Sequence, residues 1–108
     1  ALLEQADALV GVDSGPLHIA GILGLPAVGL FGAIFSHLRL HPRARVTAVT
    51  SNIDCLGCHH TPDGQFHWRT GCPRQIACMH GISADAVFAA LLGLRNFEPS
   101  LLPNSCEK

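Results

Sequence analysis

Two groups of residues in this 108-residue chain have the types and spacing to do chemistry. The first is Asp13-Ser14-Gly15-Pro16-Leu17-His18, where an apolar run stops at a small polar turn and resumes with helical spacing. Such a turn leaves the N–H groups of the next helix's first turn facing open space, and the helix dipole adds partial positive charge there. That chemistry suits an anion. The Ser14 hydroxyl, the N–H groups of Gly15, Leu17 and His18, and the His18 ring can all donate to a phosphate or diphosphate, and Gly15 lets it approach the backbone. Asp13 would repel a phosphate, so it is expected to accept hydrogen bonds from N–H groups of its own turn. The plainer alternative is an N-cap followed by a core-facing histidine, and on local pattern the two stand level.

The second group is Cys55, Cys58, Cys72 and Cys78, a Cys-x2-Cys pair followed after thirteen and then five residues by two further cysteines. Two local thiolate pairs joined by a loop can wrap one tetrahedral ion, and zinc and iron both accept four sulfurs. With all four ligands from protein the site is closed, so its expected role is structural: it holds a segment too polar to fold by burial. His59, His60, His67 and His80 flank these cysteines, and one of them could stand in for a thiolate; four thiolates already complete the tetrahedron, so they read as solvated. A thiol-exchange pair is the other option, but that chemistry belongs at a helix start after a strand. Phe66 and Trp68 read as packing the finger against the domain, and Cys106, in the tail, as a free thiol.

The elements that must position these groups follow from periodicity and punctuation. Ala8 to Val12 is a continuous apolar run, expected to be a parallel strand covered on both faces. Pro16 suits a first helical turn; Leu17, Ile19, Ala20, Ile22 and Leu23 carry the helix to Gly24-Leu25-Pro26, a C-cap glycine with a proline beyond. Ala27 to Phe31, closed by Gly32, is a second buried strand, which makes a strand-helix-strand unit. Residues 2–7 read as a helix end, Ser36 to Leu40 as one helical turn and Val46 to Thr50 as a third strand. From 51 to 81 no period of 2 or 3.6 persists, and a loop-rich insertion is expected. Ser83 is a candidate N-cap with Asp85 in the first turn, and Val87, Phe88, Leu91, Leu92 and Leu94 give an apolar face up to Arg95-Asn96. The expected architecture is an α/β, Rossmann-like parallel sheet. Residues 1–50 form its core, 51–81 a four-cysteine metal finger, 82–98 a closing helix and 99–108 a tail.

Composition narrows the partners. Hydrophobic residues at 48% and charged residues at 14% can build a core, and a net charge of −1 offers no basic footprint for nucleic acid or an acidic membrane. No apolar run approaches the ~18 residues of a membrane span, and no basic leader precedes one. The expectation is a soluble, unprocessed, cytoplasmic protein, whose cysteines serve a metal in a reducing compartment. The chain opens at Ala1 within a helical pattern, which reads as a piece cut from a longer protein.

The run Asp13-Ser14-Gly15-Pro16-Leu17-His18-Ile19-Ala20, followed by Gly24-Leu25-Pro26-Ala27-Val28-Gly29-Leu30-Phe31-Gly32, resembles the C-terminal half of the heptosyltransferase family across roughly residues 4 to 50. The resemblance implies one half of a GT-B fold, the half that binds a nucleotide-sugar such as ADP-heptose. It implies donor-diphosphate contacts at Ser14, Gly15 and His18, with Asp13 shaping the turn, and a glycan or protein acceptor. The family often continues after its second strand with Pro-Thr and a positioned Arg or Trp; Ala33-Ile34-Phe35-Ser36-His37 departs from that. The family's acceptor-binding half, with its acidic general base, has no counterpart here, so sugar transfer by this chain alone is not expected. The cysteine segment is similar to an iron-binding finger in the subset that glycosylates bacterial autotransporters, which implies iron as the alternative to zinc. Two other functions compete: a non-catalytic, metal-stabilised module that binds another protein or self-assembles into a homo-oligomer, and a rubredoxin-like redox centre.

Overall fold

The computed structural model describes residues 2–60 and 71–95. Among these residues, three four-residue strands, β1 (Leu9–Val12), β2 (Ala27–Leu30) and β3 (Val46–Val49), form a parallel sheet in the order β1-β2-β3. Leu9 pairs with Ala27 and Ala27 with Val46, and the register runs unbroken to Val12, Leu30 and Val49. Helix α1 (Gly15–Leu23) links β1 to β2, and a short 3-10 turn, Ser36–Leu38, lies between β2 and β3. Beyond the sheet come a 3-10 turn at Cys58–His60, a single-turn helix α2 (Ala77–His80) and the longer α3 (Ala84–Arg95). This is the α/β, Rossmann-like class expected from the sequence. Phe66, His67, Trp68, Cys106 and the tail lie outside the described residues.

The helix boundaries follow from local chemistry. Gly24 takes the left-handed conformation at φ 74°, which glycine adopts without a Cβ clash. Its N–H reaches the Gly21 carbonyl at 3.3 Å while Leu25 N–H reaches that of Ala20 at 2.9 Å. That pair of bonds is the Schellman closure of α1. Pro26 then forbids continuation and β2 begins. At the start of α3, Ser83 Oγ accepts the Ala86 N–H at 3.0 Å, as an N-cap should.

Burial departs from the expectation of two fully covered strands. Ala27, Val28 and Gly29 of β2 are buried, but in β1 Val10 and Val12 remain 44% and 46% exposed. The reason is position: β2 is central and touches both α1 and α3, whereas β1 and β3 are outer strands of this sheet. Ala27 and Phe31 pack with Leu17 and Ala20 of α1 into one cluster, flanked by Leu9, Leu25, Leu40 and Val46. Val28, equally buried, points by strand alternation to the opposite face. The apolar residues of the helices are likewise only partly used. Leu17 and Ala20 are buried while Ile19, Ile22 and Leu23 are exposed, and Phe88 of α3 is exposed too. In the segment 51–81, expected to be loop-rich, the described residues form only single turns, at Cys58–His60 and α2.

Candidate functional site

The turn Asp13-Ser14 sits at the carboxyl end of β1 and opens α1, where parallel sheets place their ligands. Ser14 is the N-cap residue in extended conformation (φ −156°, ψ 176°), but its side chain caps no helix N–H. Its hydroxyl instead donates back to the Val12 carbonyl at 3.1 Å. The N-cap alternative therefore fails for the side chain, and the helix's leading N–H groups are left for another acceptor. Two are open among the described residues, those of Gly15 and Leu17. Pro16 has none, and the His18 N–H, expected to face the ligand, is spent on the Ser14 carbonyl at 3.3 Å.

Asp13 behaves differently from expectation. Its carboxylate takes its hydrogen bonds from side chains rather than from its own turn. His18 Nε2 lies 2.8 Å from Oδ1, and Arg39 Nε donates to Oδ2 at 3.2 Å and, more weakly, to Oδ1 at 3.5 Å. Only 15% of the Asp13 side chain is exposed. A carboxylate at the mouth of an anion site is tolerable when a guanidinium and an imidazole offset its charge. With Nε2–H committed to Asp13, the neutral His18 ring has only a lone pair left at Nδ1; donation from that atom needs the imidazolium. Sequence reasoning missed Arg39. It stands 26 residues from Asp13, and only the parallel β1-β2 pairing brings the end of β2 and its following turn beside the end of β1.

An open cavity of about 370 Å³ lies elsewhere. Leu3, Asp7, Leu23, Gly24, Leu25 and Pro26 are among its lining, which puts it at the amino ends of β1 and β2, the wrong end of the sheet for a ligand held by the α1 terminus.

Cys55, Cys58, Cys72 and Cys78 all carry reduced thiols and are half-buried. The Cys55-Leu56-Gly57-Cys58 segment turns through a left-handed Gly57 (φ 72°) and docks on the end of β2: Gly57 N–H donates to the Gly32 carbonyl at 2.7 Å, and His59 N–H to that of Ala33 at 2.9 Å. Cys78 meets the same Gly32, where an added Cβ would come within 2.7 Å of Sγ. Cys72 Sγ accepts the Arg74 N–H at 3.4 Å, and the Arg74 guanidinium pairs with Asp54 and lies beside Cys55. Hydrogen bonding to Arg74, reinforced by its charge, holds the Asp54 carboxyl below the ordinary carboxylate range. Cys78 and the knuckle thus both meet Gly32, while Cys72 contacts the backbone of Arg74 and Cys55 its side chain. Among the described residues no three His, Cys, Asp or Glu side chains converge closely enough to hold an ion as they stand.

No curated protein and no solved structure matches the chain. The sequence model of glycosyltransferase family 9 (heptosyltransferase) matches residues 1–68, a span that takes in the Asp13 turn, α1, all three strands and the Cys55–Cys58 knuckle. On that match, over more than half of its length, the chain belongs to glycosyltransferase family 9, the heptosyltransferases.

Proposed function

We propose that this chain is the donor-binding part of a heptosyltransferase-like glycosyltransferase, and that the Asp13–His18 turn holds the diphosphate of a nucleotide-sugar, an ADP-heptose-like donor. The observation that carries it is the pair of open N–H groups, Gly15 and Leu17, at the N-terminus of a nine-residue helix that follows a parallel strand. In the displacement at the anomeric carbon the diphosphate leaves with growing negative charge. Two backbone donors fixed before the reaction, with the α1 dipole behind them, stabilise that charge without reorganisation. Asp13 does not act as the base that takes the acceptor's proton, because both its oxygens are bonded to His18 and Arg39. The acceptor, a glycan or a protein, and its base belong to another part of the enzyme, so the isolated chain binds donor but transfers no sugar. Titration with ADP, UDP, GDP and their sugar conjugates should shift the backbone amides of Ser14, Gly15, Leu17 and His18. Binding that leaves these amides still, or no binding, refutes the donor site.

A second reading, a non-catalytic module that self-assembles, is favoured by the half-exposed Val10 and Val12 on the outer strand β1. Concentration-dependent association by sedimentation, with the turn amides silent, would select it.

We further propose that Cys55, Cys58, Cys72 and Cys78 hold one structural iron or zinc ion. The fit rests on the sulfur donor set, on the contacts of Cys78 and the knuckle with Gly32 and of Cys55 and Cys72 with Arg74, and on Gln75 and Ile76, both left-handed at φ 55° and 58° between Cys72 and Cys78. Non-glycine residues in that conformation persist where something over-determines the loop. Bound there, the ion would supply folding energy, and a closed four-sulfur site leaves no open position for substrate. One metal per chain by elemental analysis, lost in Cys72→Ser, is the expected result; a metal-free, folded protein after growth with both metals would refute it.

A further inference from the structure

The residue the sequence did not flag, Arg39, has more donors than its known partner uses. Its backbone is fixed: its N–H donates to the Ser36 carbonyl at 3.0 Å, that of Leu40 to the same carbonyl at 2.9 Å, and the Leu40 side chain packs on the core cluster. Phe35, at the start of this turn, stacks on His37 and His60 with ring centroids 5.4 and 5.7 Å apart. From this base the side chain reaches Asp13 with Nε alone. The two terminal Nη nitrogens, with four N–H groups between them, have no partner among the described residues, and 49% of the side chain is exposed. A guanidinium is a planar fork that can offer one edge to a carboxylate and another to a second oxyanion, which an ammonium cannot do.

Anchoring by a mostly buried carboxylate changes what such a cation can do. An unanchored arginine loses side-chain entropy when it binds a ligand; one already held at Nε has lost much of it on folding. Asp13 stands between His18 and Arg39, so the carboxylate that seemed misplaced beside a phosphate instead anchors a guanidinium at the carboxyl end of β1, where α1 begins. We propose that Arg39 is a diphosphate-binding residue of the donor site, anchored through Nε by Asp13 and reading the diphosphate with its Nη edge. The assignment rests on the donor-site reading above.

The test uses the full chain and whichever of ADP, UDP and GDP it binds best, together with the parent nucleoside, by amide-shift titration. Arg39→Gln should weaken the nucleoside diphosphate by about tenfold or more, the scale of a lost charge-assisted pair, and leave the nucleoside affinity unchanged. Arg39→Lys, which keeps the charge but has no Nε for Asp13, should recover only part of that loss. A merely structural arginine would lower both ligands together, and that result overturns the assignment, as does equal diphosphate affinity in Arg39→Gln and the unsubstituted chain. If the unsubstituted chain binds no nucleoside diphosphate, the donor-site reading itself falls and this assignment falls with it.

Discussion

Two regions that meet at Gly32 and Ala33 are held by different physics. The strand-turn-helix-strand from Leu9 to Phe31 is held by burial: Leu17, Ala20, Ala27 and Phe31 interlock, the parallel register is continuous, and α1 ends on a glycine cap. The segment from Cys55 to Gly81 has little of this. Its 3-10 turn and the helix α2 contain no buried residue, and its path passes through left-handed backbone at Gly57, Gly71, Gln75 and Ile76. Its most evident side-chain tie, Asp54 to Arg74, is exposed, and such pairs add little to stability. Burial holds the first region, whereas the second rests on local backbone geometry and exposed contacts.

The largest expected effect separates the two regions directly. Structural zinc in small fingers contributes an apparent binding free energy of about 10–16 kcal/mol, which is folding energy for the loop it closes. Stripping the ion proposed at the four cysteines should therefore abolish amide-exchange protection across 55–60 and 72–81. Protection of α1 and β2 should remain. If chelation unfolds both regions together, or neither, the division drawn here is wrong.

From the other side, Leu17→Ala removes a fully buried side chain that packs on Ala27 and Phe31. A loss of about 2–5 kcal/mol is expected for such a truncation. Thermal unfolding with and without chelator checks the comparison, because this loss should be the same in both conditions. A chelator-dependent loss would mean that the core and the cysteine segment fold as one unit.

The two regions also differed in how much the sequence disclosed. Around Asp13 the signals are local: an apolar run, Pro16 near the start of a helix, Gly24-Leu25-Pro26 at its end, and Ser83 as the cap of α3 all turned out as read. What stayed hidden there is non-local. The Arg39–Asp13 bond depends on strand pairing, and the direction of the Ser14 hydroxyl depends on a choice between two backbone partners, Val12 and the helix, that residue types do not decide. The exposure of Val10, Val12 and Phe88 was invisible for the same reason, since an apolar residue does not announce whether its neighbour strand or helix is present. In the cysteine segment the spacing named the candidate ligands but not the docking. That the knuckle hangs on the Gly32 and Ala33 carbonyls, with Phe35 against Gly57, follows from backbone groups that every residue carries.

Gly57→Ala probes that docking. The residue sits at φ 72°, and an added Cβ would overlap the ring of Phe35. Overpacking of this kind costs about 1–3 kcal/mol, and left-handed backbone at a residue with a Cβ adds about 1–2 kcal/mol. The knuckle should detach, lowering the thermal midpoint and weakening binding of the proposed metal, while the buried Ala27 amide, bonded to the Arg45 carbonyl at 2.9 Å, keeps its protection. Gly57→Ala combined with Phe35→Leu should recover the steric share but not the conformational one. Full recovery in that pair would show that the left-handed turn is not needed.

The smallest effect has the opposite sign. Ser51 follows β3, is 92% buried (8% exposed), and its Oγ has no hydrogen-bond partner among the described residues; its Cβ lies against Gly81, which closes α2. A buried hydroxyl without a partner carries a desolvation cost of about 1–3 kcal/mol, so replacing both its donor and acceptor by hydrogen should raise stability. Ser51→Ala keeps the Cβ that fills the space beside Gly81 and removes only the oxygen. A gain of about 1 kcal/mol in denaturant unfolding is expected, with donor binding unchanged, because the residue belongs to the packing of the cysteine segment and not to the Asp13 turn. A loss of stability would mean that the hydroxyl is satisfied by a group outside the described residues. A loss of donor binding would extend the site across the sheet from β1 to β3 and erase the boundary between the two regions.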